Sequence, residues 1–207
     1  ALGLSSHLNW TDDSWSTARR DFETRKWKEL GVGHVRRDLL WRDLEPAPGE
    51  WNLGLMDTLL AATEAQGAEL LALMNYGNPW ANEQPDDHFR PPDDLSLFGD
   101  YAATIAQQYG DRIQKYEIWN EPNAGLAFWR PQEDPTEYGE LLIEAADRIH
   151  ANDPDALVSF AGVFVPNLIL NTGGLDFIRE VHAAHPNVAD HIDALAFHPY
   201  RYPFTAP

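Results

Sequence analysis

The chain has no cysteine in its 207 residues. Disulfide scaffolding, thiolate catalysis and cysteine-ligated metal sites are therefore excluded. Lysine is scarce as well, confined to Lys26, Lys28 and Lys115. Most of the positive charge is arginine, and 33 acidic residues leave a formal charge of −18. Such a surface repels polyanions, which argues against nucleic acid or an acidic membrane as a partner. No apolar run approaches the roughly 20 residues of a membrane span. Ala1-Leu2-Gly3-Leu4 also lacks the charged leader and apolar core of a signal peptide. Apart from His198, the histidines (His7, His34, His88, His150, His182, His185 and His191) are scattered without metal-ligand spacing. No catalytic metal and no cofactor are expected.

What is present is an ordinary globular composition, 43% hydrophobic, in a chain long enough for one well-buried domain. Apolar segments of strand and helix length alternate from end to end. Leu2–His7 is a weakly patterned first strand. Asp12 and Asp13 offer N-caps for a helix running to Leu30, with Trp15, Ala18, Phe22 and Leu30 on its apolar face. Strands are predicted over 33–41, 69–76, 116–121, 156–161 and 192–197. Further helices are predicted over 53–66, 95–109, 134–150 and 175–182. Gly31, Gly67 and Gly110 stand where helices should stop, and Asp134-Pro135-Thr136-Glu137 approximates a capping box with proline at the first helical position. Strand–helix alternation of this kind belongs to a parallel sheet covered by helices. The proline-rich stretch from Gly77 to about Asp94 is long for a connection in a compact domain, a length usually seen in functional or disordered loops.

The chemistry concentrates in Tyr116-Glu117-Ile118-Trp119-Asn120-Glu121-Pro122-Asn123, an apolar strand ending in an amide, a carboxylate and a proline that cannot continue the ladder. Simple alternation places Tyr116, Ile118 and Asn120 on one face and Glu117, Trp119 and Glu121 on the other. This stretch resembles the acid/base strand of the retaining glycoside hydrolases of clan A, the β-glycosidase superfamily of TIM barrels. Val35-Arg36-Arg37-Asp38 with Trp41, Glu45-Pro46 and Gly49 resembles the second strand and loop of the same clan. Asn75-Tyr76-Gly77-Asn78-Pro79-Trp80 and Phe128-Trp129-Arg130-Pro131 resemble its family 39-like members, and Ala194-Leu195-Ala196-Phe197-His198-Pro199-Tyr200 resembles the sixth strand.

The resemblance implies an α/β fold, a (β/α)8 TIM barrel of which residues 1–207 supply about the first six units as a single catalytic domain. Eight pairs typically take about 250 residues, so the barrel is expected to be completed by a missing segment or a partner chain. It implies a substrate too, a β-linked oligo- or polysaccharide cleaved by double displacement. That chemistry needs two carboxyl groups about 5–5.5 Å apart. By resemblance Glu121 is the general acid/base, while the nucleophilic glutamate belongs to a seventh strand that the chain does not reach. Glu45, Glu50, Glu117 and Glu180 are poor substitutes by position.

Asn120 is implied to bond the sugar 2-hydroxyl. Arg36 is implied to position the nucleophile, with Arg37 the alternative because one position of register exchanges the faces. Tyr76 and Trp80 offer aromatic faces and Asn78 an amide, although such aromatics also form satellite cores. Trp129, with Phe128, either walls the cleft or plugs the loop beneath it. His198 and Tyr200 are implied to line the subsite of the scissile sugar. An alternative of another class is a non-catalytic glycan-binding barrel or an inactive relic.

Overall fold

The computed structural model describes residues 2–6, 17–84, 87–164 and 172–199. Asp12, Asp13, Trp15 and Tyr200 lie outside them. Six parallel strands, β1 (Leu2–Ser5), β2 (Val32–Leu40), β3 (Glu69–Asn75), β4 (Lys115–Asn120), β5 (Leu157–Phe164) and β6 (Ala194–His198), pair in sequence order. They form a curled partial (β/α) barrel. Its helices are α1 (Thr17–Glu29), α2 (Trp41–Leu44), α3 (Gly54–Glu64), α4 (Leu95–Tyr109), α5 (Gly125–Phe128), α6 (Pro135–Asn152) and α7 (Gly174–Ala184).

The two central helices show why these segments fold as they do. Asp94 caps α4 by accepting from the Ser96 N–H. Asp134 caps α6 by accepting from the N–H groups of Thr136 and Glu137, with Pro135 in the first turn. Each cap meets donors that the helix itself cannot satisfy. Phe98, Tyr101, Ala102, Ile105, Ala106 and Tyr109 are buried on α4, as are Tyr138, Leu141, Leu142, Ala145, Ala146 and Ile149 on α6. This is the i, i+3, i+4 stripe of a helix laid on a sheet. Each large side chain so buried contributes ~1.5–3 kcal/mol. Tyr138 also ties layer to sheet, its hydroxyl donating to the Ile118 carbonyl at 3.0 Å and accepting from the Ala161 N–H at 2.9 Å.

On α1 the expected apolar face is not the buried one. Phe22 and Leu30 are exposed, and Trp27 instead packs with Val32, Val35 and Ala68 in a small separate cluster. The bulk of one tryptophan decides which side of this highly charged helix meets the sheet. Along β2 the alternation holds in burial: Val35, Arg37 and Leu39 are buried, while Arg36, Asp38 and Leu40 are less so.

Along β4 the alternation breaks. Trp119 has φ +70° and Glu121 φ +49°. Left-handed backbone is costly for a bulky residue, on the order of 1–2 kcal/mol. Here it is held by the Trp119 indole, which donates to the Phe128 carbonyl at 2.6 Å and packs on Trp129, Tyr76 and Phe98. The consequence is a change of face. Trp119 joins Tyr116 and Ile118 in the core, and Asn120 turns inward beside Glu117, against simple alternation. At the two outer strands the arc leaves apolar side chains exposed, Leu2 and Leu4 on β1 and Leu195 and Phe197 on β6. Among the described residues no helix is long and apolar enough to cross a membrane.

Candidate active site

The C-terminal ends of the strands open onto a cavity of about 720 Å³. Its polar lining includes Arg36 and Asp38 from β2, Tyr76 after β3, Asn120 from β4 and Glu121 just after it, and His198 from β6. Leu40, His88, Phe89 and Phe128 supply ring and methyl surface.

At the base lies an ion pair. Glu117 is 1% exposed and accepts from Arg36 Nε at 2.7 Å and Arg36 Nη2 at 2.8 Å. Its Oε1 also accepts from the Gly162 N–H of β5 at 2.8 Å. A planar guanidinium meeting a carboxylate through two bonds is the strong, directional form of this contact. Arg36 Nη2 donates in addition to Asn120 Oδ1 at 2.9 Å, which fixes the amide at the cavity wall. Burial opposes the guanidinium charge, yet the bonds and charge of Glu117, with help from Asp38, outweigh it and hold the Arg36 pKa above its ordinary value. Arg37 also borders the cavity, but it is buried and donates to the Ser6 carbonyl at 3.3 Å instead of joining the Glu117 pair.

Glu121 stands above this pair. It is 7% exposed, its N–H donates to the Gly162 carbonyl at 3.0 Å, and its carbonyl accepts from Ala124 at 2.9 Å. Its Oε1 lies 2.5 Å from His198 Nδ1. Gly162 makes that contact sterically feasible, because a Cβ there would come within 2.3 Å of His198 Nε2. One wall is aromatic. Tyr76 stands edge-on to Phe89 at 4.8 Å and stacks parallel to Phe128 at 6.0 Å. Burial, reinforced by the Asp38 charge, pushes the Tyr76 phenol far up, so it remains a neutral hydroxyl.

His88 and Phe89 arrive on the loop after β3, which folds back so that the Gly77 N–H donates to the His88 carbonyl at 2.9 Å. A Cβ on Gly77 would fall 1.8 Å from the Arg90 carbonyl oxygen, so only glycine permits the fold-back. Arg130 clamps the loop from the other side, lying over the Phe89 ring at 4.9 Å and pairing with Asp87 at 3.2 Å. Burial first, then the positive charges of Arg42 and Arg130, lower the His88 pKa to about 4.

Arg36, Tyr76, Asn120, Glu121 and His198 thus meet at one cavity, and three other candidates lie outside it. Asn78 is buried, with Nδ2 donating to the Glu45 carbonyl at 2.8 Å. The Trp80 indole donates to the same carbonyl at 3.0 Å, and its ring lies edge-on to Trp41. Trp129 is fully buried between Trp119 and Tyr138, so it plugs the loop rather than walling the cavity. Phe128, its neighbour, is the one that reaches the wall. Glu45 is occupied as well, its carboxylate accepting from Trp41 Nε1 at 2.7 Å and the Gly49 N–H at 2.8 Å. Among the described residues, no group of three histidine or acidic side chains is arranged to hold a metal ion.

No family's sequence profile matches the chain. Among solved structures, a family 39 glycoside hydrolase from the gut symbiont Bacteroides cellulosilyticus WH2 superposes with a TM-score of 0.73 at 25% identity. The match covers 98% of this chain and 39% of that one. The chain shares its fold with part of a family 39 glycoside hydrolase. A monomeric β-xylosidase from Caulobacter crescentus CB15 matches at a TM-score of 0.75 and 19% identity, over 96% of this chain and 41% of its own. A β-glucosidase from Thermotoga maritima matches at 0.56 and 16%, over 86% of this chain and 52% of its own. By sequence, Beta-glucosidase 11 of Oryza sativa subsp. japonica is 23% identical over 116 residues, 53% of this chain and 22% of the rice protein. The chain therefore spans about two fifths of the first two structures and under a quarter of the rice protein.

In this partial (β/α) barrel the cavity sits at the C-terminal face of the sheet, where such barrels gather their chemistry. Sequence patterning did not reveal His88 and Phe89, whose position depends on the Gly77 fold-back. Asn123 has a part that its place in the motif did not disclose. Its Oδ1 accepts from the Phe164 N–H at 2.9 Å, while Nδ2 donates at 2.8 Å to the carbonyls of Phe164 and Thr172. It braces the turn after Glu121 against the end of β5.

Proposed function

We propose that the protein is a retaining glycoside hydrolase acting on β-linked glycans, with Glu121 as general acid/base. The observation that supports this most is the Glu121 carboxyl itself, nearly buried at a strand tip, bonded through Oε1 to His198 and set beside the Arg36–Asn120 pair. In this reading Oε2 faces the glycosidic oxygen. Its proton passes to that oxygen as the bond to the anomeric carbon breaks, and a second carboxylate attacks the anomeric carbon to give a glycosyl ester. Glu121, now ionised, then takes a proton from the water that attacks the ester, and the sugar leaves with its original anomeric configuration.

Asn120, oriented by Arg36, holds the 2-hydroxyl, and Tyr76 with Phe128 bounds the ring. In this reading the attacking glutamate is supplied from outside the described residues. Among the described residues, the other carboxylates lining the cavity are Asp38 and Asp43 of β2 and α2, and Asp38 is already bonded to Asn75 Nδ2 at 2.7 Å. Residues 1–207 alone should therefore release no aglycone from an activated aryl β-glycoside.

The test is leaving-group dependence in the full-length protein. Glu121→Gln should slow cleavage of an alkyl or sugar β-glycoside by about 10²–10⁴-fold, the usual worth of a positioned acid. A dinitrophenyl glycoside needs no proton to depart and should lose much less in its glycosylation step. Equal loss on both substrates would overturn the role of Glu121. Glycan binding without turnover by the unsubstituted protein would instead favour the non-catalytic barrel.

A further inference from the structure

A second depression, about 440 Å³, opens between the loops that follow β2 and β3. Arg42, Asp43, Pro46, Asn78, Pro79 and Trp80 line it, and Asp43 lines the main cavity as well, so the two spaces are neighbours. The aromatic side of the depression is fixed. Trp80 is half-buried, its indole N–H is tied to the Glu45 carbonyl at 3.0 Å, and its ring stands edge-on to Trp41 at 5.2 Å. Asn78 bonds the same carbonyl, which pins the loops to each other. The same lining carries a carboxylate and a guanidinium, Asp43 Oδ1 and Arg42 Nε, 3.7 Å apart.

These parts fit one ligand chemistry. A pyranose ring offers an apolar C–H face and a rim of hydroxyls that donate and accept. A preset aromatic ring suits the face, and it loses little entropy on binding because it is already held. A carboxylate and a guanidinium suit the rim, the first accepting and the second donating. Because Arg42 and Asp43 offset each other's charge, the site favours a neutral polyol over an ionic ligand. Two sugar rings must flank the bond cleaved at Glu121. A ring further along the same glycan, passing Asp43, arrives at Trp80.

We propose that the Asp43–Trp80 depression is a further sugar subsite, which makes the protein selective for β-linked oligosaccharides of three or more units. This rests on the glycosidase reading, and the experiment separates the two. Binding of β-linked xylo- and gluco-oligosaccharides of two, three and four units is measured by calorimetry on the full-length protein. The trisaccharide of at least one series should bind about 3–10-fold tighter than its disaccharide, the worth of one aromatic stacking contact. Trp80→Leu should bring that ratio to about one. Trp80→Tyr, which keeps a ring but loses the indole bond to Glu45, should retain most of it. Recovery of the ratio by tyrosine distinguishes lost stacking from a loosened loop. Equal affinity for two and three units, or an unchanged ratio in Trp80→Leu, overturns the subsite and leaves the reading of Glu121 intact. If no oligosaccharide binds, both fall.

Discussion

Glu117 is withdrawn from water beneath the cavity and Arg36 is largely so, and each makes the other's burial tolerable. Breaking such a pair costs more than the pair is worth, because it strands a buried charge. Glu117→Ala should destabilise the protein by ~3–5 kcal/mol, read as a drop in the urea midpoint with an unchanged slope. His88 makes a prediction in pH. Its folded pKa is about 4 against an ordinary 6.5, so between those values the unfolded chain binds the extra proton. The stability held above pH 6.5 should therefore be lost progressively as pH falls to about 4 and change no further below it. His88→Gln should flatten that part of the profile, seen as the difference in urea midpoint between variant and parent across pH 7 to 4. Arg36, Glu121 and His198 could be anticipated from sequence because the motifs around them resemble those of a known clan, and Glu121 and His198 also stand at the ends of strands. His88 could not, because it reaches the cavity only through the fold-back at Gly77.

Among the elements, α6 carries the clearest tests. Its N-terminus was legible in advance from Asp134 and Pro135, and the bonds from Thr136 and Glu137 to the Asp134 carboxylate are the physical reason. Asp134→Ala should cost ~1 kcal/mol in thermal or urea unfolding. The Tyr138 hydroxyl was not legible, since nothing along the chain marks a tyrosine that spans helix to sheet. Tyr138→Phe should cost ~1–3 kcal/mol, because it leaves the buried Ala161 N–H without its partner. Sequence reasoning also failed at two faces. On α1 it chose Phe22 and Leu30 over Trp27, since a weakly amphipathic pattern does not rank its apolar residues. On β4 it put Asn120 with Tyr116 and Ile118, because alternation assumes extended backbone and Trp119 is left-handed. That reversal brings Asn120 to Arg36, and the strain is stored next to the candidate acid.

At the scale of the molecule, strand–helix alternation was enough to anticipate parallel strands paired in order, and that arc superposes on part of a family 39 glycoside hydrolase. Its concave end brings β2, β3, β4 and β6 to one cavity. The account of that cavity depends on where the Glu121 carboxyl lies relative to a scissile bond. A crystal structure of the full-length Glu121→Gln protein with an uncleaved β-linked trisaccharide measures this directly. We predict the substituted amide at position 121 within about 3.2 Å of an inter-sugar oxygen, hydrogen-bonding reach for a proton donor, with Asn120 on a 2-hydroxyl. A glycan bound elsewhere on the barrel, or with every inter-sugar oxygen beyond reach of that side chain, would contradict the account.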